Sequence, residues 1–319
     1  MKDIIKPLPL TRGAKIGIIS PASRPLDEIP YRLGLDYLRQ LGYIVVESEH
    51  ALHRRGYLAG EDDHRASDFN AMVRDSEIAA IICSRGGYGT PRLLDRIDYD
   101  AVAKQPKIIV GYSDITALQL AIWARTGVVT FSGPMVAVEM GRGIAPFTEA
   151  SFWTALSAAQ APRLLTNPPD NPIRVMKPGR AAGRLLGGCL SLINVLLGTP
   201  YCPDFDGAIL LLEDIDEEPY RVDRYLAQLR LAGILNQVSG IVLGQFIDCV
   251  PRDPEKPSLT IEEILNDYFA GLKIPILTNF AYGHGAVKHT IPIGVHAILD
   301  TAQGGLILTE STVAEANIA

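Results

Sequence analysis

The stretch that decides the fold is residues 107–114, KIIVGYSD, where a short apolar run ends in a Gly-Tyr-Ser-Asp turn. A continuously apolar run of this length is typical of a strand covered on both faces, as in a parallel sheet. The following segment, 114–123, predicts a helix. The stretch therefore predicts a strand–turn–helix unit with Ser113 at the turn.

The same alternation of strand and helix patterns fills the first 135 residues. Helices are predicted over residues 27–41 and 61–74. Strands are predicted over residues 14–20, 43–47, 78–83 and 107–110. Strands that alternate with helices in this way indicate a parallel, doubly wound sheet.

The pattern weakens between about residues 140 and 180, where NPPDNP (167–172) is a strong cluster of turn residues. We therefore predict an N-terminal domain over 1–140, a connecting region over 141–180 and a C-terminal domain over 181–319. In the C-terminal part the predicted strands are 183–186, 208–212, 238–245, 276–280 and a closing hairpin of 293–300 with 305–309. A Gly-Gly turn at 187–188 and helices over 190–197, 220–231 and 261–269 complete it. The fold class is α/β, with a parallel-sheet domain followed by a smaller α/β domain.

Charge and composition limit the classes of partner and the cellular location that we expect for this protein. The net charge is −6 and no long block of like charge occurs, so neither a nucleic-acid nor a membrane partner is expected. The first residues lack the apolar core of a signal peptide, and the longest apolar runs have the length of strands. Cys83, Cys189, Cys202 and Cys249 form no C-x-x-C pair and no zinc-ligand spacing. These features predict a cytoplasmic protein without a metal.

Ser113 has two interpretations. At the carboxyl end of a parallel strand its hydroxyl faces the crevice where α/β proteins bind ligands, so it is a candidate nucleophile. The motif is not G-x-S-x-G, because residue 115 is Ile, and Ser and Asp are common helix caps. The Gly-Tyr-Ser-Asp motif by itself favours the helix-cap interpretation of Ser113.

The glycine-rich segment SRGGYG (84–89) follows the preceding predicted strand. Its backbone N–H groups, together with that of Asp114, could form an oxyanion hole beside Ser113. A phosphate or dinucleotide loop is the rival interpretation, but the G-x-G-x-x-G and P-loop spacings are both absent. The third interpretation of this segment is a plain turn without a ligand.

A serine nucleophile needs a base. His284, flanked by glycines after a predicted strand, is the first candidate, and His289 is the second. The other four histidines fall in polar segments or in a strand: His50, His53, His64 and His296.

The base in turn needs an orienting acid, and the apolar run LLLED (210–214) ends in two carboxylates. Because successive side chains of a strand point to opposite faces, only one of Glu213 and Asp214 is expected to face the site. The alternative to a site role is that these carboxylates mark a solvated strand end, followed by the acidic run 214–218.

The ordered set of these motifs resembles the LD-carboxypeptidase family, peptidase family S66, also called muramoyltetrapeptide carboxypeptidases. The motifs are SPAS (20–23), SRGGYG (84–89), GYSDIT (111–116), SGPM (132–135), GGCLS (187–191), LED (212–214), GIVLG (240–244), GH (283–284) and PIG (292–294). The resemblance extends from about residue 10 to about residue 310. Each motif alone is weak, whereas the set in this order is specific.

The resemblance implies that Ser113 is the nucleophile, His284 the general base and Glu213 its orienting carboxylate. It places the oxyanion donors on the backbone of Gly87 and Asp114. It also implies a flavodoxin-like N-terminal domain, a C-terminal α/β domain, a site between them, and a homodimer.

The implied reaction is hydrolysis of the L,D amide that releases the terminal D-Ala of a murein tetrapeptide, in cell-wall recycling and without a cofactor. Arg85 or Arg224 is a candidate for binding the terminal carboxylate of the peptide. Gly188 and Cys189 are further candidates for substrate contacts. The family commonly has Asn where Cys189 stands, so a substrate hydrogen bond from that side chain is expected to be lost or weakened.

Two other functions stay open. Relatives of the microcin C self-immunity type hydrolyse peptidyl-nucleotide compounds, but they carry a longer connecting region than residues 140–182 of this chain. A two-domain protein that binds a small ligand without turnover is the other possibility. It predicts that Ser113→Ala leaves function intact.

Overall fold

Two β-sheets with flanking helices make up the protein, in a computed structural model that describes residues 3–157 and 160–315. The strands are β1 (Lys15–Ile19), β2 (Ile44–Glu47), β3 (Ile78–Cys83), β4 (Ile108–Gly111), β5 (Thr130–Ser132), β6 (Arg163–Leu165), β7 (Arg174–Lys177), β8 (Arg180–Cys189), β9 (Ile209–Ile215), β10 (Gly240–Ile247), β11 (Ile276–Thr278), β12 (Ile291–Ile293), β13 (His296–Asp300) and β14 (Gly305–Leu308). The helices are α1 (Glu28–Gln40), α2 (Asp62–Arg74), α3 (Tyr99–Lys104), α4 (Ile115–Thr126), α5 (Pro146–Ser157), α6 (Leu190–Leu196), α7 (Pro219–Leu231), α8 (Ile234–Gln237) and α9 (Ile261–Phe269). A 3₁₀ helix covers Thr90–Leu93 and a π-helical turn Val136–Met140. Among the described residues, none of these helices has the length and hydropathy needed to cross a membrane.

The first sheet has the order β12-β5-β4-β3-β1-β2. Strands β1 to β5 are parallel and follow the flavodoxin-like order 2-1-3-4-5. Every residue of β4 is buried, as its continuously apolar sequence predicts. The predicted α/β fold with a parallel sheet is therefore confirmed.

The second sheet has the order β6-β14-β13-β8-β9-β10-β11-β7. Its centre, β8 to β11, is parallel, and antiparallel strands flank it on both sides. The predicted closing hairpin is present as β13 and β14, with Ala297 opposite Leu308. The prediction began this hairpin at residue 293, however, and β12 (Ile291–Ile293) instead pairs with β5 of the first sheet. The chain thus returns to the first sheet before it closes the second.

The region 141–180 is more than a connection. It contains α5 and two short strands, and these strands form the two edges of the second sheet. Their partners, β14 and β11, lie more than 90 residues away along the chain, so no local pattern announces the pairing. The domain bounds 1–140, 141–180 and 181–319 stay a prediction.

The predicted turn at Gly187 and Gly188 is wrong, because β8 runs through both residues to Cys189. Both glycines have a positive φ, 134° and 146°. A Cβ atom at Gly187 would lie 2.0 Å from the Leu211 carbonyl oxygen, and one at Gly188 would lie 2.6 Å from the Thr116 side chain. The glycines are needed for close packing of β8 against β9 and against α4, and the contact with α4 joins the two halves.

Candidate active site

Ser113 lies between the end of β4 and the start of α4, as the sequence predicts. Its φ is 64°, in the left-handed region that non-glycine residues rarely adopt. The hydroxyl faces the glycine-rich segment, since a Cβ atom at Gly86 would lie 3.1 Å from Ser113 Oγ. Backbone strain of this kind is concentrated at functional sites, which favours the nucleophile over the helix cap.

The neighbouring Asp114 does not cap the helix either, since its side chain makes no capping hydrogen bond to α4. Instead its Oδ2 accepts a hydrogen bond from the Thr90 N–H at 2.8 Å, which fixes the glycine-rich segment to the Ser113 turn. The Asp114 side chain is buried, and burial raises the pKa of its carboxyl group.

Backbone N–H groups beside Ser113 are available to a ligand. Within residues 3–157 and 160–315, the N–H groups of Gly87 and Asp114 donate to no protein acceptor, whereas the Tyr88 N–H donates to Ser23 Oγ at 3.2 Å. Gly87, Ser113 and Asp114 line the same cavity. The two predicted oxyanion donors are therefore close to the predicted nucleophile and unoccupied by the protein.

Glu213 and His284 form a buried pair in the second half. Glu213 lies near the end of β9, is 1% exposed, and its Oε2 is 2.7 Å from His284 Nδ1. A carboxylate can only accept, so Nδ1 carries the proton and donates it. The Nε2 atom of the neutral ring is then left with its lone pair, as a general base requires.

Ser113 and the Glu213–His284 pair belong to different halves of the chain, and no hydrogen bond between described residues joins Ser113 to His284. Tyr112, the residue before Ser113, contacts His284 instead: the two rings meet edge-on with centroids 5.0 Å apart. The Cys189 N–H also donates to Thr116 Oγ1 at 3.2 Å, which ties β8 to α4. Nucleophile–base hydrogen bonds are often long without substrate and shorten when it binds.

A cavity of about 590 Å³ opens at this junction. The predicted site residues in its lining are Gly87, Ser113, Asp114, Cys189 and Arg224. Within the described ranges, four others are outside the lining: Arg85, Gly188, Glu213 and His284. Arg85 points to the Arg24 carbonyl oxygen, 3.4 Å from one guanidinium nitrogen, and Gly188 packs on Thr116.

Only one of the two carboxylates at the end of β9 lies in the cavity lining. Glu213 holds His284 while Asp214, on the opposite face of β9, lines the cavity. Asp214 accepts hydrogen bonds from the Ser191 N–H at 2.8 Å and from Cys189 Sγ at 3.2 Å. Burial and the charge of Glu213 raise the pKa of Asp214 to about 6.

A buried ionic network lies next to the site, and it was not predicted from the sequence. Lys288 Nζ lies 2.5 Å from Glu139 Oε1, and the Tyr112 hydroxyl donates to the same oxygen at 2.7 Å. The Lys288 ammonium also lies 3.9 Å from the centroid of the Tyr112 ring. Burial opposes ionisation of Glu139, but Lys288 outweighs it and holds the pKa of that carboxyl group below its usual value. Since Lys288 and Glu139 are 149 positions apart, no motif signals the contact.

His289, the second candidate base, has a structural role. Its ring is 5% exposed and packs against Phe147 and Phe280. Its Nε2 lies 3.0 Å from the Thr166 carbonyl oxygen, and burial lowers the pKa of the ring to about 4. His296 lies on β13, as predicted, and bonds to Thr309.

The fold and the site define a two-sheet α/β protein with a cleft between its halves. Family models of the LD-carboxypeptidase N-terminal and C-terminal domains match residues 16–133 and 182–299. The chain belongs to the LD-carboxypeptidase family, as the sequence motifs indicate.

Three relatives illustrate the similarity. A Bacillus subtilis protein named "Probable murein peptide carboxypeptidase" is 40% identical over 97% of this chain and 96% of its own. The murein tetrapeptide carboxypeptidase of Pseudomonas aeruginosa is 33% identical over 90% of this chain and 93% of its own. A structure of MccF in complex with glutamyl sulfamoyl guanosine superposes with a TM-score of 0.89 at 28% identity, covering 97% of this chain and 99% of that one.

Proposed function

We propose that this protein is a serine carboxypeptidase that hydrolyses the L,D amide bond of murein tetrapeptides and releases the terminal D-Ala, in cell-wall recycling. The observation that carries the proposal is the position of Ser113. It stands in a left-handed turn at a cavity beside two unused N–H groups, and the preceding residue, Tyr112, contacts the His284 ring of the Glu213–His284 pair. The names of the carboxypeptidase relatives support the choice of substrate.

The proposed chemistry has two halves. His284 Nε2 takes the proton of Ser113 as Oγ attacks the amide carbon, and the N–H groups of Gly87 and Asp114 hold the oxyanion. His284 then gives the proton to the nitrogen of the leaving D-Ala. In the second half His284 deprotonates a water that attacks the acyl ester, and Ser113 recovers its proton. Glu213 stabilises the imidazolium formed in each half.

The charges of the cavity suit a zwitterionic peptide. Arg224 is exposed in the lining and is the better candidate for the terminal carboxylate, because Arg85 lies outside the lining. Asp214 and Glu217, also in the lining, can pair with the free amine of a diamino acid next to the scissile bond. The Cys189 thiol donates to Asp214, so it offers this substrate only the weak acceptor of its sulfur.

The decisive experiment uses a synthetic murein tetrapeptide and follows D-Ala release and the mass of the protein. Wild-type protein is expected to release D-Ala and to carry an acyl group on Ser113 in rapid-quench samples. Ser113→Ala is expected to lose both, and Ser258→Ala, a change at an exposed serine outside the cavity, neither. Release of D-Ala by Ser113→Ala within tenfold of the wild-type rate would overturn the proposal.

Hydrolysis of an aminoacyl nucleotide is the second candidate, and the TM-score of 0.89 to MccF favours it. The same assay with an aminoacyl sulfamoyl nucleoside separates the two. Cleavage of the nucleoside compound without cleavage of the tetrapeptide supports this second candidate. Wild-type protein that binds either compound but turns over neither supports the non-catalytic alternative.

The proposal also places the protein in the cytoplasm as a homodimer. Four free cysteines support a reducing compartment, and the family resemblance supports the dimer. Cell fractionation and analytical ultracentrifugation test the two points separately.

A further inference from the structure

Three imidazoles meet at the surface of the first half, outside the lining of the cavity. One ring nitrogen from each of His50, His53 and His64 lies within 4.8 Å of the others. The His50 ring stacks on that of His64 with centroids 4.2 Å apart and meets His53 edge-on at 4.8 Å. His53 and His64 are exposed and His50 is half-buried.

A buried carboxylate orients the innermost of these rings. Asp68 is 7% exposed, and its Oδ1 lies 2.7 Å from His50 Nδ1. Its Oδ2 accepts the His50 backbone N–H at 3.1 Å. Because the carboxylate only accepts, the Nδ1 atom of His50 is protonated and Nε2 keeps its lone pair. A carboxylate on the second ring nitrogen is the usual support of a metal-binding histidine.

The backbone holds the ligands in one place. His64 and Asp68 are four residues apart on α2 and therefore share one face of the helix. His50 and His53 come from the segment 48–61, which links β2 to α2. Zinc–nitrogen bonds of about 2.1 Å place the nitrogens around a tetrahedral ion roughly 3.4 Å apart, and the three ring nitrogens lie within 4.8 Å of one another. His53 and His64 are exposed, and the proposal requires that their side chains rotate to bring the nitrogens to this spacing.

We propose that His50, His53 and His64 bind one divalent transition-metal ion of the Zn²⁺ type, with water in the remaining position. Neutral imidazole is a preferred ligand of such ions, and one nitrogen from each of the three imidazoles lies within the same 4.8 Å cluster. The bound ion fastens the segment 48–61 to α2. That segment also carries Tyr57, whose ring contacts Tyr88 of the cavity lining with centroids 5.6 Å apart. The site is independent of the proposed hydrolysis.

Titration calorimetry of the metal-free full chain with Zn²⁺ tests the proposal. Wild-type protein is expected to bind one ion, and His64→Asn to bind at least about tenfold more weakly. Asp68→Asn, which removes only the support of His50, is expected to weaken binding by about 10–100-fold. His296→Asn, a change at a histidine outside the cluster that bonds to Thr309, is the matched control and should bind like wild type.

A spectroscopic measurement identifies the ligands independently. Co²⁺ bound at the cluster is expected to give visible ligand-field bands without thiolate charge transfer, and His53→Asn and His64→Asn should each change them. Because His53 and His64 are exposed, both variants should fold, which circular dichroism checks. Zn²⁺ affinity or Co²⁺ spectra that are the same in wild type and His64→Asn would overturn the proposal, as would an equal loss in His296→Asn.

Discussion

Replacing Glu213 by Gln removes one charge from the candidate site and leaves the size of the side chain unchanged. Glu213 is 1% exposed and accepts the His284 Nδ1–H at 2.7 Å. A carboxamide can still accept this hydrogen bond through its oxygen. It cannot stabilise the positive charge that His284 gains when it takes a proton, and its NH₂ group favours the wrong tautomer of the ring.

The size of the effect follows from this geometry. A hydrogen bond to a charged group contributes about 1.5–3 kcal/mol, which corresponds to about 10–100-fold in rate. Loss of the correct tautomer can extend the decrease to about 10⁴-fold in kcat. Since Glu213 is outside the lining of the cavity, KM should change little. We expect kcat to fall by about 10–10⁴-fold at nearly constant KM.

Steady-state release of D-Ala from the tetrapeptide, coupled to D-amino-acid oxidase, measures both parameters. Glu310→Gln is the control, because Glu310 is a partly buried carboxylate that accepts the His296 N–H and pairs with Lys6 outside the cavity. Circular dichroism confirms that both variants fold. A folded Glu213→Gln protein that keeps more than a fifth of the wild-type kcat refutes the reasoning, as does a loss that lies wholly in KM.

Three further predictions concern stability. Ser113→Gly and Ser113→Ala should both be inactive. Because φ is 64° at this position, denaturant unfolding should show the glycine variant to be more stable than the alanine variant by up to about 1 kcal/mol. Equal stabilities of the two variants would contradict the backbone strain. Lys288→Met leaves the buried Glu139 unpaired and should destabilise the fold by about 3–5 kcal/mol, and a second change, Glu139→Gln, should recover part of that loss in thermal unfolding. The pKa of Asp214 is raised to about 6, so its ionisation destabilises the folded state progressively from about pH 4 to about pH 6. Asp214→Asn should therefore gain up to about 3 kcal/mol relative to wild type between pH 4 and pH 7, and a constant difference would argue against the raised pKa.

Local features of the fold were predictable because they depend on neighbours along the chain. The apolar run before Ser113 marks β4, and the Gly-rich segment after β3 marks a close approach of backbone. Two predictions failed where the partner is distant in sequence. Gly187 and Gly188, predicted as a turn, lie in a strand, where they pack closely against Leu211 and Thr116. Strand β12 pairs with a sheet formed mainly by the first half of the chain.

The sequence by itself determined the strand–turn–helix unit of Ser113, the glycine-rich segment and, through the order of its motifs, the family. The tertiary structure alone decided that Asp214 lines the cavity from the other face of β9 and that Lys288 neutralises a buried carboxylate. It also collected three histidines that look unrelated in sequence into one cluster. The physical reason is that backbone preference and apolar periodicity act over a few residues. Contacts between side chains of different elements, in contrast, depend on how whole sheets, helices and the segments between them pack.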